Sequence, residues 1–199
     1  MSGKLSPEDV LFLQRLLKGA GFYGGALDGL WGPKTDAAVQ AFEARERELR
    51  QVHGELDARS EANLQLLHPK AQEAARVFLG KVRSAAIDAR IISGTRTYAE
   101  QNELFRQGRF GNPGPIVTNA RGGQSNHNFG IAWDIGIFQK GKYLGDSPLY
   151  KKAAEVGLVD GLEWGGNWTS LKDWPHYQLA TGLSISDVRE KFEKGQPLV

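Results

Sequence analysis

Residues 125–138 read Ser-Asn-His-Asn-Phe-Gly-Ile-Ala-Trp-Asp-Ile-Gly-Ile-Phe. A loop of small and polar residues runs straight into an apolar stretch, and Ile131 to Phe138 is expected to form a central strand. Side chains alternate along a strand, so Asp134 shares a face with Ala132 while Trp133 and Ile135 point to the other side. Gly130 and Ala132 leave room beside the carboxylate for a bound ion. Seven fully extended residues reach ~23 Å, too far for His127 and Asp134 to serve one ion. A shared site requires the chain to turn back between His127 and Gly130, and Asn126, Asn128 and Gly130 suit such a bend.

A second segment carries matching chemistry. In Asp-Trp-Pro-His-Tyr-Gln, residues 173–178, Pro175 holds Trp174 extended and removes a backbone donor. Asp173 and His176 stand three apart across this stiff dipeptide, so one can bind a metal while the other approaches the metal's water. Two His and one Asp form a sensible three-ligand set with one position left open. Each residue alone also has an ordinary structural reading, as a hydrogen-bonded core His or a turn Asp. The other two histidines, His53 and His68, lie in charged or linker sequence and are expected to be solvated.

Composition narrows the field. The 199 residues contain no cysteine, which excludes a disulfide framework, a thiolate metal site and a cysteine nucleophile. With 25 basic and 23 acidic side chains the net charge is +2, which gives no support for nucleic-acid binding. No stretch approaches the ~20 apolar residues of a membrane span, and the N-terminal stretch lacks the apolar h-region of a signal peptide. Synthesis in the cytoplasm without a leader and no membrane insertion are expected. The 25 glycines exceed the usual ~7% and point to many turns.

Helical signals dominate the first third. Ser6-Pro7-Glu8-Asp9 is an N-cap, a proline at the first helical position and acids in the first turn. Pro33 opens a second helix through about Phe42, followed by a charged, exposed continuation of the helix, a turn at Gly54 and another helix ending before Pro69. Beyond it come a helix from about Lys70 to Ala86, a short buried strand at Ala89–Ser93 and a helix from about Thr97 to Gly108. A glycine-rich loop over 109–130 leads into the strand that holds Asp134. A lysine-rich hairpin, a helix at Leu149–Val156, a Trp/Gly-rich loop and a strand at His176–Leu179 complete the α+β pattern. The boundary near Pro69 divides the chain into 1–68 and 69–199.

The blocks SGTRTYAEQ, VTNA, SNHNFGIAWD, EWGGNW and DWPHYQ, in this order, resemble the zinc-dependent D-alanyl-D-alanine carboxypeptidase and L-alanyl-D-glutamate endopeptidase family, which includes phage endolysins. The resemblance spans about residues 68–180. It implies that His127, Asp134 and His176 bind Zn2+ and that Asp173 is the general base and later the proton donor. It also implies that Arg96 stabilises the oxyanion or a substrate carboxylate; its structural alternative is a surface salt bridge. Ser125 and Gln101 are candidates for substrate contact or loop support, and Trp174, like Trp164 and Trp168, for cleft lining or packing. Asp rather than Glu at position 173 resembles the endolysin branch, which cuts between L-Ala and D-Glu of the peptidoglycan stem peptide.

The segment LQRLLKGAGFYGGALDGLWGPKTDAAVQAFEARE is similar to the three-helix peptidoglycan-binding module over about residues 7–67. Tyr23, Asp28 and Trp31 are its candidate wall contacts, with bracing of the turn as the alternative for Asp28. The expectation is a monomeric, modular peptidoglycan hydrolase of the phage type, acting on the wall in the periplasm or outside the cell. Two alternatives stand beside it: a D-Ala-D-Ala carboxypeptidase on the same site, and a non-catalytic wall-binding protein.

Overall fold

The computed structural model describes residues 5–199. Among them the helices are α1 (Pro7–Gly19), α2 (Pro33–His53), α3 (Ala58–Leu64), α4 (Pro69–Ser84), α5 (Tyr98–Arg106), α6 (Leu149–Gly157) and α7 (Ile185–Glu193). The strands are β1 (Asp88–Ser93), β2 (Ala132–Gln139), β3 (Lys142–Leu144), β4 (Leu162–Trp164) and β5 (His176–Leu179). The sheet is antiparallel in the order β1-β2-β5-β4, with β3 also paired to β2. The class is α+β, as the pattern predicted. No helix among the described residues is long and apolar enough to cross a membrane.

The chain forms two compact units. The first gathers the residues through Ala44, Arg96–Gly130 and Thr181–Val199. Its helix α1 starts where expected: the Ser6 hydroxyl accepts from the Asp9 N–H, and the Asp9 carboxylate accepts from the Ser6 N–H. Gln14, fully buried on α1, organises the glycine turn that follows. Its Oε1 accepts from the N–H groups of Asp28 (3.1 Å) and Gly29 (2.9 Å), while its Nε2 donates to Asp28 Oδ1 and Leu30 O, both at 3.0 Å. Below this turn Phe12, Tyr98, Phe129 and Phe192 form one aromatic cluster, with Phe12–Phe192 at 5.5 Å and Phe129–Phe192 at 5.3 Å. Helix α7, absent from the sequence reading, thus links α1 to the turn that holds His127. Its start is a Ser184 cap accepting from the Asp187 N–H.

The second unit comprises Arg45–Thr95 and Ile131–Ala180. One face of its sheet is an aromatic core: Trp133, Tyr177 and Trp164 stack across β2, β5 and β4, and Phe78 of α4 lies 4.4 Å from the Tyr177 ring. The outer edge of β1 is covered by α3. The Ile91 N–H donates to the Ser60 hydroxyl at 2.9 Å, and Asn63 Nδ2 donates to Ile91 O at 3.2 Å. Two backbone groups that would otherwise present an unpaired edge are satisfied by side chains. At the strand's end Gly94 passes so close that a Cβ there would meet Asn63 O at 1.8 Å, which accounts for the glycine of the SGTRT block.

Two expectations are corrected here. The charged stretch after Phe42 continues the helix as expected, but it is not wholly exposed. It completes the 21-residue helix α2 and buries Leu49 and Glu46, and Glu46 accepts from Gln72 Nε2 at 2.8 Å. Nor is His68 solvated: its Nδ1 accepts from the Lys70 N–H at the start of α4, and burial pushes its pKa down to about 4. Neutral imidazole is the form that can accept this bond.

Arg76 of α4 is 2% exposed and pairs in bidentate fashion with Glu61 of α3, at 2.7 Å for each bond. Burial pushes the Glu61 carboxyl up, but bonds from Arg76 and the Leu56 N–H, with the charges of Arg76 and Arg50, hold it below its ordinary 4.5. A carboxyl depressed in the folded state stabilises the fold above its unfolded value, and that contribution is lost as the pH falls below it. Urea titrations at neutral pH are therefore expected to show Arg76→Ala destabilised by about 3–5 kcal/mol. Stability plotted against pH is expected to fall below 4.5 in the native protein, and to fall less steeply in Glu61→Gln.

Candidate metal centre

The register of three strands places the polar residues of the centre. Asp134 of β2 stands directly opposite His176 of β5, and Trp133 directly opposite Tyr177. Alternation therefore sends Asp134 and His176 to one face and the aromatic ladder to the other. On the polar face the row continues, because Gln178 follows His176 on β5 and stands opposite Glu163 of β4. The distances are 3.2 Å from His176 Nδ1 to Asp134 Oδ1, 2.9 Å from His176 Nε2 to Gln178 Oε1, and 2.7 Å from Gln178 Nε2 to Glu163 Oε2.

His127 arrives on a different device. Residues Asn126–Phe129 form a single 3-10 turn that ends at Gly130 in the left-handed region (φ 68°). This is the reversal that the spacing to Asp134 requires, and the glycine adopts it without a Cβ penalty. The turn is fastened to the SGTRT block: the Arg96 N–H donates to His127 O at 3.0 Å, and Asn128 Nδ2 donates to Arg96 O at 2.9 Å. His127 is 1% exposed. One ligating atom each from His127, Asp134 and His176 all lie within 4.8 Å of one another.

The donor set fits a divalent metal. Two ligand atoms on a tetrahedral ion with bonds of about 2.1 Å stand about 3.4 Å apart, close to the 3.2 Å between His176 Nδ1 and Asp134 Oδ1. Burial opposes a charge on His176, yet bonds to Asp134 and Gln178 and the charges of Asp134 and Asp173 raise its pKa.

Asp173 sits in the turn before β5. Its N–H donates to Gly165 O at 3.1 Å, and its own carbonyl accepts from the His176 N–H at 3.3 Å. Pro175 O accepts from the Ile135 N–H at 2.9 Å, so the stiff dipeptide is pinned to β2. Gly165 lies against this turn: a Cβ there would meet Asp173 O at 2.5 Å and the Cβ atoms of Asp173 and His176 at 3.1 Å. That contact gives the EWGGNW block a physical role. Trp168, 36% exposed, lies with its ring 4.9 Å from the His176 imidazole, and Trp174, 38% exposed, packs on Trp164 at 5.3 Å.

The remaining sequence-selected residues are placed as follows. Ser125 flanks the His127 turn and is half-buried. Gln101 is 1% exposed and donates to Ala120 O at 2.9 Å, holding the VTNA stretch. Tyr23 is buried, with its hydroxyl donating to Ala26 O. Asp28 braces the glycine turn through the Leu30 N–H and Gln14. Trp31 is half-buried and donates from Nε1 to Asp36 Oδ1 at 2.7 Å. The sequence reading singled out neither Gln178, Glu163 nor Gly165. Period-two spacing from His176 points to Gln178, whereas Glu163 becomes visible only through strand register.

Comparison with known proteins adds three findings. A family model described as D-alanyl-D-alanine carboxypeptidase matches residues 118–179, and one for a peptidoglycan binding domain matches residues 6–59. The peptidoglycan L-alanyl-D-glutamate endopeptidase CwlK of Bacillus subtilis is 36% identical over 123 residues, 57% of this chain and 73% of that protein. The crystal structure of the Serratia marcescens L-Ala D-Glu endopeptidase ChiX is similar at 30% identity and a TM-score of 0.48, over 64% of this chain and 90% of that one.

Gly165→Ala is expected to displace the turn that holds Asp173 and His176. Small misplacements of working groups are costly, so divalent-metal affinity measured by chelator competition is expected to fall by about tenfold or more.

Proposed function

The chain belongs to the family of the D-alanyl-D-alanine carboxypeptidases and L-alanyl-D-glutamate endopeptidases of peptidoglycan, and from that membership we propose that it cleaves the L-Ala-D-Glu bond of the stem peptide with a zinc ion held by His127, Asp134 and His176. The observation that carries this reading is the convergence of those three ligand atoms within 4.8 Å, next to the turn bearing Asp173. The two-histidine, one-carboxylate set without thiolate suits zinc in a hydrolytic site. When bound, the metal supplies Lewis acidity, polarising the scissile carbonyl and acidifying water.

The protein's own groups have distinct tasks. Asp173 takes a proton from the attacking water as its oxygen bonds to the L-Ala carbonyl carbon. The C–N bond then breaks, and Asp173 returns the proton to the departing D-Glu nitrogen. The Arg96 guanidinium stabilises the negative charge that develops on the carbonyl oxygen. Its backbone bonds to the His127 turn keep that side chain in register with a ligand. Trp168 and Trp174 offer apolar surface for the stem peptide, Ser125 a polar contact, and Gln101 holds the loop that borders it.

Residues 1–68 serve as the wall-binding part and 69–199 as the peptidase. Trp31, with its ring half-exposed beside the glycine turn, is the foremost wall contact, while Tyr23 and Asp28 shape that turn.

Digestion of purified peptidoglycan followed by product masses tests the bond assignment. Fragments beginning with D-Glu are expected, and release of terminal D-Ala alone overturns the endopeptidase reading in favour of a carboxypeptidase. Asp173→Ala is expected to lower kcat by about 10²–10⁴-fold while zinc binding, followed by chelator competition, persists. Normal turnover by that variant removes Asp173 from its role.

A further inference from the structure

The metal ligand His176 is held from behind by groups with no assigned role. We propose that Gln178 and Glu163 are positioning residues for the metal centre: the Gln178 amide, oriented by Glu163, holds the His176 ring with its proton on Nε2 and aims the Nδ1 lone pair at the metal. This rests on the reading of His127, Asp134 and His176 as a metal site.

The argument is one of donors and acceptors. A side-chain amide has one acceptor oxygen and one NH2 group, and which end faces where must be inferred from its partners. Glu163 Oε2 lies 2.7 Å from Gln178 Nε2, and a carboxylate only accepts, so the NH2 faces Glu163. The amide oxygen then faces His176 Nε2 at 2.9 Å, and that nitrogen must carry a proton. A neutral imidazole with its proton on Nε2 has its lone pair on Nδ1. That atom lies 3.2 Å from Asp134 Oδ1, itself an acceptor. Two acceptors this close need a cation between them, a proton in the metal-free ring or the metal ion in the loaded site.

The sheet builds this arrangement directly. Asp134 opposes His176 and Gln178 opposes Glu163, so the four side chains share one face of β2, β5 and β4 on two adjacent rungs. The residue opposite Gln178 on β2 is Ala132, whose small side chain leaves the amide space to lie along that face toward His176. Partners of this kind behind a ligating histidine fix its ring orientation and raise its basicity.

The test measures zinc affinity by competition with a chromophoric chelator and reads the His176 tautomer by long-range 1H–15N NMR of the zinc-loaded native protein. Gln178→Ala is expected to weaken zinc binding by about 10–100-fold, with an unchanged urea midpoint. Glu163→Ala frees the amide to reverse and is expected to give a smaller loss. Exchange of the pair, Gln178→Glu with Glu163→Gln, preserves an acceptor for Nε2–H and a donor between the two strands, and is expected to restore most of the affinity. The native spectrum is expected to show a protonated Nε2 and a metal-bound Nδ1, which decides the matter even if Gln178→Ala does not fold. Native zinc affinity in folded Gln178→Ala, or zinc on Nε2 in the native spectrum, overturns the proposal while leaving the metal site standing. Failure of the native protein to bind zinc, or undiminished binding by His127→Ala, overturns the metal site and this proposal with it.

Discussion

The pairing of β2 with β5 is the constraint on which the rest of the molecule depends. Asp134 opposite His176 and Trp133 opposite Tyr177 are two consequences of one register. Because side chains alternate with a period of two, a slip of one residue would exchange the faces. Were β2 to slip, its Asp134 carboxylate would enter the aromatic core and Trp133 would face the polar side. The apolar cost of such a slip is large, since Trp133, Ile135, Ile137 and Tyr177 are all fully buried. The hydrophobic face thereby fixes Asp134 and His176 opposite each other on the polar face.

His127, Arg96 and Asp173 are not on that register and are secured by other means. A 3-10 turn closed by a left-handed glycine presents His127, and its backbone is bonded to Arg96. A proline-stiffened turn, seated against Gly165, presents Asp173. Asp134 and His176 are therefore placed by strands, while His127 and the groups proposed for proton transfer and charge stabilisation come from short, well-braced irregular segments. Loops of this kind allow close approach to a substrate that a pleated strand would obstruct. Bracing matters because a general base must stay within hydrogen-bond reach of the proton it takes.

How legible this was in the sequence depended on whether the signal was local. The strand around Asp134, the bend required after His127 and the cap of α1 each rest on a few consecutive residues, and all three appear where expected. Helix α7 carries an equally local cap at Ser184, but only Val188 and Phe192 of its nine residues are buried, a sparse apolar pattern. The errors at His68 and after Phe42 have a different origin. His68 is half-buried although the bond it accepts comes from the nearby Lys70 N–H, and Glu46, charged and expected to be exposed, is buried because it finds a partner from a distant segment, as do Glu61 and Arg76. Sequence composition carries no information on such pairings. The role of Glu163 was hidden for the same reason, since it follows from the pairing of β4 with β5 and not from any spacing along the chain.

The N-terminal helices bear on how wall binding and cleavage are joined. A flexible tether would raise the local substrate concentration without orienting it. Here α1 shares an aromatic cluster with α7 and with Phe129, two residues beyond His127, and α3 closes the free edge of β1 through Ser60 and Asn63. Helix α1, inside the match to a binding module, and α3, at its end, are thus also structural parts of the units that hold the candidate ligands. Removing them would expose a sheet edge and strip the partner from buried Arg76, so the peptidase cannot be treated as a body that merely carries an appendage. A wall ligand engaged by the glycine turn that Gln14 organises would bind a surface rooted in the same aromatic core as the His127 turn.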